Sequence, residues 1–329
     1  MEKRQLGKQG LTVSALGLGC MSMSWAYGPR DETEAIATIH QALDSGITFF
    51  DTAEVYGPFE NEKLVGRAIR GRRDSIAIAT KFGFKIDAEG KTVGADSRPE
   101  HIREVVNASL QRLGVNHIDL LYQHRVDPNV PIEDVVGTMA EFVKAGKVKY
   151  LGLSEASPKT IRRAHATHPI TALQSEYSLF EREVESTILP TCRELGIGFV
   201  AYSPLGRGIL TGKVPAADQL SAEDFRRRFP RFERGNFERN QNLVAVLAQV
   251  ASRKKATPAQ VALAWLLQQG KDIVPIPGTK QRKYLMENIE AANLRLSSED
   301  LNQLAATFTP QAVAGQRYHE GGMAMIDRS

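Results

Sequence analysis

The chain has 329 residues, of which 42% are hydrophobic and 24% charged, and its 42 basic and 38 acidic side chains leave a net charge of +4. A balance this mild points away from nucleic acid, and no apolar run approaches the roughly 18 residues of a membrane span. Two cysteines, Cys20 and Cys192, cannot build a zinc knuckle or a disulfide framework, and the opening MEKRQLGKQG lacks the apolar core of a secretory signal, so a cytoplasmic protein is expected.

Arg4 to Leu6 and Leu11 to Val13 flank Gly7-Lys8-Gln9-Gly10 and predict a hairpin. Ala15 to Gly19 predicts a first core strand whose loop carries Trp25 and Tyr27, and Asp31 with Glu34 predicts a capping box for the following helix. Next comes GITFFDTAEVYGPFENEKLVG, from Gly46 to Gly66, a buried strand ending at Asp51 and entering a loop that holds Tyr56. Ile76 to Thr80 predicts a strand closing at Lys81, and Ser97 with Glu100 the cap of the next helix. His117 to Gln123 ends at His124, Lys147 to Leu153 at Ser154, Ile170 to Leu173 at Gln174, and Ile197 to Ala201 at Tyr202 and Ser203. Helices are predicted between them, one of them over Val184 to Leu195. Asp272 to Ile276 is the last predicted strand, with Gly278 and Thr279 opening a helix.

About eight strand-then-helix units without a break in composition predict one domain over residues 1–329, a parallel (β/α)₈ TIM barrel with an amino-terminal β-hairpin. An open doubly wound sheet is the rival, but Gly17 and Gly19 lack the third glycine of its fingerprint. Two stretches leave the rhythm. Pro204 to Asn240 is a long loop after the seventh strand, and the tail from about residue 307 is less regular, as lids or disordered segments are.

In a parallel barrel the carboxyl ends of the strands share one face, so Asp51, Lys81 and His124 should converge with Tyr56. A phenol is a poor acid at neutral pH, and a nearby ammonium favours its anion; Lys81 is expected to lower the Tyr56 pKa, with Asp51 holding the lysine in place. His124 can hydrogen-bond the oxygen of a group being reduced or protonated. Any one of these residues alone reads as an ion pair or as packing; the set together reads as chemistry. Asp51 with Glu54 as paired hydrolase carboxylates is an alternative, which leaves Lys81 and a basic site at Lys280 without a role.

The GITFFDTAEVYG stretch with NEKLVG, the TK at Thr80 and Lys81, LLYQHR around His124, AYSPLGRGILTGK from Ala201 and IPGTKQRKYLMEN from Ile276 resemble the aldo-keto reductase family. The resemblance spans the chain to about Leu304 with the motifs in family order. It implies a barrel that binds NADP(H) and reduces small aldehydes or ketones, with Tyr56 as proton donor and Asp51, Lys81 and His124 as its partners. It further implies that Tyr202 stacks on the nicotinamide and that Ser154 and Gln174 hold its carboxamide, although Glu155 stands where the family often has Asn.

Ser203, Leu205, Arg207 and Gly208 resemble the pyrophosphate loop, where glycine lets backbone N–H groups approach and Arg207 would supply charge. Thr279, Lys280 and Arg282 open a predicted helix and would take the 2′-phosphate, with Glu287 and Asn288 near adenine. Trp25 and Tyr27 would wall the substrate pocket. The family also includes potassium-channel β subunits, so a cofactor-binding redox sensor without turnover is the second reading. FRRRFPRF is expected to cover the cofactor or pack against another subunit rather than bind nucleic acid, His165 and His168 lack the further ligands of a metal site, and monomer and homo-oligomer both stay open.

Overall fold

Alternating burial forms the hairpin where the sequence places it: β1 (Lys3–Leu6) pairs antiparallel with β2 (Leu11–Ser14), and Arg4, Leu6, Leu11 and Val13 face inward. The structure, a computed structural model, describes residues 1–329. Beyond the hairpin come β3 (Leu18–Gly19), β4 (Phe49–Asp51), β5 (Ala77–Phe82), a short hairpin of β6 (Phe84–Ile86) and β7 (Thr92–Ala95), then β8 (Ile118–Gln123) and β9 (Val148–Ser154). β10 (Ile170–Glu176), β11 (Gly198–Tyr202) and β12 (Ile273–Pro275) complete the strands. All but the two hairpins join one parallel sheet in the order β12-β11-β10-β9-β8-β5-β4-β3.

Two glycines close that sheet on itself. The Gly17 amide donates to the Pro275 carbonyl at 2.9 Å and the Gly19 amide to that of Pro277 at 3.3 Å, with a parallel bridge from Gly19 to Gly278. A Cβ at Gly17 would lie 2.7 Å from the Phe49 ring, and one at Gly19 2.9 Å from the Ile276 carbonyl oxygen, so any side chain would wedge the seam apart. The fold is a (β/α)₈ TIM barrel. Leu6, Leu11 and Val13 of the hairpin pack with Phe49, Leu120, Tyr122 and Val200 as one interior cluster, plugging the end of the barrel away from the strands' carboxyl termini. Arg4 anchors the plug through three carbonyls, of Leu267 (2.9 Å), Gly270 (2.8 Å) and Ile273 (2.5 Å).

Outside the strands run α1 (Glu32–Asp44), α2 (Glu60–Ala68), α3 (Pro99–Leu113), α4 (Ile132–Lys144), α5 (Pro158–Thr167), α6 (Ile188–Leu195), α7 (Arg234–Arg253), α8 (Pro258–Leu267), α9 (Arg282–Glu290) and α10 (Ser298–Thr307). Several local expectations are corrected. Only Leu18 and Gly19 of the predicted first strand pair as strand. Asp31 caps α1 through the Glu34 amide, but the Glu34 carboxylate turns to Arg282 instead of completing a box. Ser97 caps nothing: Pro99 starts α3 after Arg98, and the Ser97 hydroxyl instead accepts from Gln123 at 2.9 Å. The predicted helix over Val184 to Leu195 splits into a 3₁₀ turn, Glu183–Glu185, and α6, in whose first turn Pro190 needs no N–H partner. Thr279 and Lys280 stand in a loop before α9, whose N-cap is Gln281. The long connection from Pro204 folds into 3₁₀ turns and already enters α7 at Arg234.

Candidate active site

Three strand ends and one loop meet at the open mouth of the barrel. The Lys81 ammonium, fully buried, donates to the Asp51 carboxylate at 2.5 Å, the Thr52 carbonyl at 2.8 Å and the Tyr56 hydroxyl at 3.3 Å. Tyr56 stands edge-on to His124, ring centroids 5.9 Å apart, and Phe84 also packs against the imidazole, at 4.8 Å. Gln174 donates to the second Asp51 oxygen at 2.7 Å, so the carboxylate is held from two sides. The structure thus brings together the four residues that end on this face. Glu54 is not among them, because its carboxylate turns to the Gly83 amide at 3.2 Å and does not line the cavity.

The electrostatics depart from expectation at one point. Burial, then repulsion from Asp51, pushes the Tyr56 phenol well above its ordinary value, with Arg125 opposing. Lys81 does not pull it down, contrary to the expectation from sequence. Its charge is already matched by Asp51, and its own pKa is lowered by burial against that attraction. Burial, with Lys81 and Arg125 adding repulsion, also drives the His124 pKa far down, so its imidazole is neutral; Nδ1 is buried without a partner. The site therefore presents a protonated phenol and a neutral imidazole.

Above these groups opens a cavity of about 1130 Å³. Of the candidate site residues it is lined by Asp51, Tyr56, His124, Trp25, Tyr27, Ser154, Gln174, Tyr202, Ser203, Leu205, Arg207, Gly208, Thr279, Lys280, Glu287 and Asn288; only Lys81, which lies behind Tyr56, and Arg282 stand outside it. Trp25 stacks near Tyr56, ring centroids 6.1 Å apart. The Arg282 guanidinium is exposed and paired with Glu34 at 3.0 Å. Arg207 lines the cavity, but its guanidinium grips Glu176 at 2.7 and 2.9 Å and stacks under Phe229, so its charge is already matched. Lys280 reaches across to the carbonyls of Tyr27 and Pro29, and Lys213 meets Glu287 at 3.4 Å. Glu155, at φ +55°, is bound by Arg317 at 2.7 and 2.9 Å and accepts from the Tyr202 hydroxyl at 2.8 Å. Burial raises its pKa, but Arg317 and Arg125 outweigh that and leave it lowered.

A model of the aldo/keto reductase family matches residues 15–307. This chain belongs to that family. Over 325 residues it is 50% identical to "Probable aldo-keto reductase 1" of Glycine max, covering 96% of this chain and 92% of that protein. It resembles the solved glycerol dehydrogenase AKR11B4 from Gluconobacter oxydans with a TM-score of 0.84 and 30% identity, over 94% of this chain and 96% of that one. Against the holo form of the aldo-keto reductase AKR11C1 from Bacillus halodurans the TM-score is 0.78 at 27% identity, over 94% and 97% of the two chains. An aldo/keto reductase is an oxidoreductase of small carbonyl compounds that uses a nicotinamide cofactor. No helix is long and apolar enough to cross a membrane.

Two parts of this aldo/keto reductase site, the β6–β7 hairpin and Arg125, are absent from the sequence reading, and a third, the tail, stands there only as a lid or a disordered segment. The β6–β7 hairpin brings Phe84, Lys91 and Thr92 to the cavity wall. The tail returns over the mouth, where the Tyr318 hydroxyl lies 2.8 Å from that of Tyr202. Arg125, immediately after His124, also lines the cavity. Of the two absent parts only Arg125 carries a signal, an arginine one place beyond a strand end.

Proposed function

We propose that this chain is an NADP(H)-dependent reductase of aldehydes and ketones in which Tyr56 donates the proton to the carbonyl oxygen. The observation that carries the reading is the Tyr56 hydroxyl, kept protonated at the cavity floor 3.3 Å from an ammonium itself held by Asp51. When bound, the reduced nicotinamide supplies the hydride. The residues present suit a dinucleotide: the cavity, at about 1130 Å³, reaches from Tyr56 to Asn288, Gly19, Gly208 and Gly278 line it without side chains, and the Ser22 hydroxyl lies buried at its wall without a partner. Tyr202 and Ser154 would hold the nicotinamide end. With one N–H committed to Asp51, Gln174 keeps its second N–H and its amide oxygen for the carboxamide.

The 2′-phosphate falls to Lys280 in this reading, with Thr279 beside it. Lys280 is bound only by carbonyls and keeps an unmatched charge, whereas that of Arg282 is cancelled by Glu34. As carbonyl carbon becomes tetrahedral, the oxygen gains charge; the Tyr56 proton neutralises it while neutral His124 steadies its position, and Lys81 favours the resulting phenolate. Titration with NADPH and NADH should show tighter NADPH binding, a gap that narrows with salt. Tyr56→Phe should then lose about 10²- to 10⁴-fold in kcat toward aldehydes with cofactor affinity kept. Wild-type turnover by that variant would remove Tyr56 from the role.

A further inference from the structure

Beside the site lies a buried cluster whose charges do not cancel. Arg207 and Arg231 face Glu176, Arg231 also meets Glu181 at 2.8 Å, and Arg317 holds Glu155. With Arg125, four guanidiniums oppose three carboxylates. Arg125 is the member without a carboxylate. It is 8% exposed, and its Nη1 donates to the His124 carbonyl at 2.6 Å and the Ser154 hydroxyl at 3.3 Å, while Nη2 reaches only the Tyr318 hydroxyl, at 3.5 Å. Arg125 has no carboxylate within ion-pair distance, Glu155 acting on it only from farther off, and a carboxylate is the planar partner that a guanidinium binds through two N–H groups. Arg125 lines the same cavity as Tyr56 and His124 and is the residue next to His124 in the chain.

Building on the reductase reading, we infer that Arg125 selects 2-oxo carboxylates, binding the carboxylate while the neighbouring ketone faces Tyr56 and His124. The 2-oxo carbon gains the hydride of the reduced nicotinamide, and the π electrons of its C=O bond pass to oxygen. That oxygen takes the Tyr56 proton, giving a 2-hydroxy carboxylate and oxidised cofactor; the carboxylate is unchanged.

Benzoylformate and its methyl ester share a shape and differ by the charge. Wild-type kcat/KM should favour benzoylformate over the ester by about 10- to 100-fold, the range of one charged hydrogen-bonded contact. Arg125→Met should bring that ratio close to one through a raised KM for benzoylformate, and Arg125→Lys should keep part of it. Equal rates for acid and ester in the wild type, or equal losses for both in Arg125→Met, would overturn the assignment. Calorimetry of mandelate, the reduced product, into the NADP⁺-saturated protein reads the same contact without turnover: binding abolished in Arg125→Met supports it, and binding unchanged refutes it. If no carbonyl at all is reduced, the reductase reading fails, and the mandelate titration still decides the role of Arg125.

Discussion

A phenol sunk beneath aromatic walls loses more from desolvation of its anion than it gains from an ammonium whose charge is already matched, and this decides the ionisation of Tyr56. The same desolvation keeps His124 neutral, reinforced by two nearby cations. One group titrates well above its usual range and the other well below it, so neither changes state in the middle of the pH scale. For a neutral aldehyde, kcat/KM should therefore be level from about pH 6.5 to about pH 9, with the acid limb from His124 below that window and the phenol limb above it. A limb with its midpoint near 6.5 in the rate profile would mean that His124 is solvated and charged. The positions of Asp51, Lys81 and His124 were legible because each closes a strand visible in the sequence. The strength of burial was not, since it depends on Trp25, Phe84 and a tail that arrive from elsewhere in the chain.

The returning tail is the element that sequence patterning served least. Gln316 to Ser329 is polar and glycine-containing, without period, yet Arg317 pairs with Glu155 across 162 residues, and Asp327 accepts from the Ser157 amide at 3.0 Å at the start of α5. Contacts of that range leave no local mark. The β6–β7 hairpin was hidden for a related reason, as its strands are short and largely unburied and so show no alternation. The regular βα units, by contrast, carry buried strands and one-sided helices that need no distant partner to be recognised. Removing one member of a buried ion pair strands the other in low dielectric. Arg317→Met should thus lower the unfolding free energy by about 3 kcal/mol in denaturant titrations, and adding Glu155→Gln should restore part of the loss. A double variant no more stable than Arg317→Met would argue against a specific pair and for simple loss of packing.

At the scale of the whole barrel, closure buries ionisable groups that the strand and helix pattern cannot avoid, and Glu54 shows the cost. It follows the β4 strand end and is 2% exposed; its carboxyl is raised to about 8 by burial and then by Glu62, with Arg112 only partly opposing. In the unfolded chain the same group titrates near 4.3. Between those values the folded protein holds a proton that the unfolded chain has released, so folding is favoured by acid and opposed by base. The stability tied to Glu54 is complete below about pH 4.3, is lost as pH rises to about 8, and changes no further above that. A glutamine there keeps the shape and cannot ionise. The difference in unfolding free energy between Glu54→Gln and wild type, followed from pH 5 to pH 9 by chemical denaturation, should move in favour of the variant by on the order of 3 kcal/mol, since other groups contribute equally to both chains and cancel. A difference constant across that range would show that the carboxyl is already ionised in the folded barrel, with Arg112 and the Gly83 amide outweighing burial and Glu62.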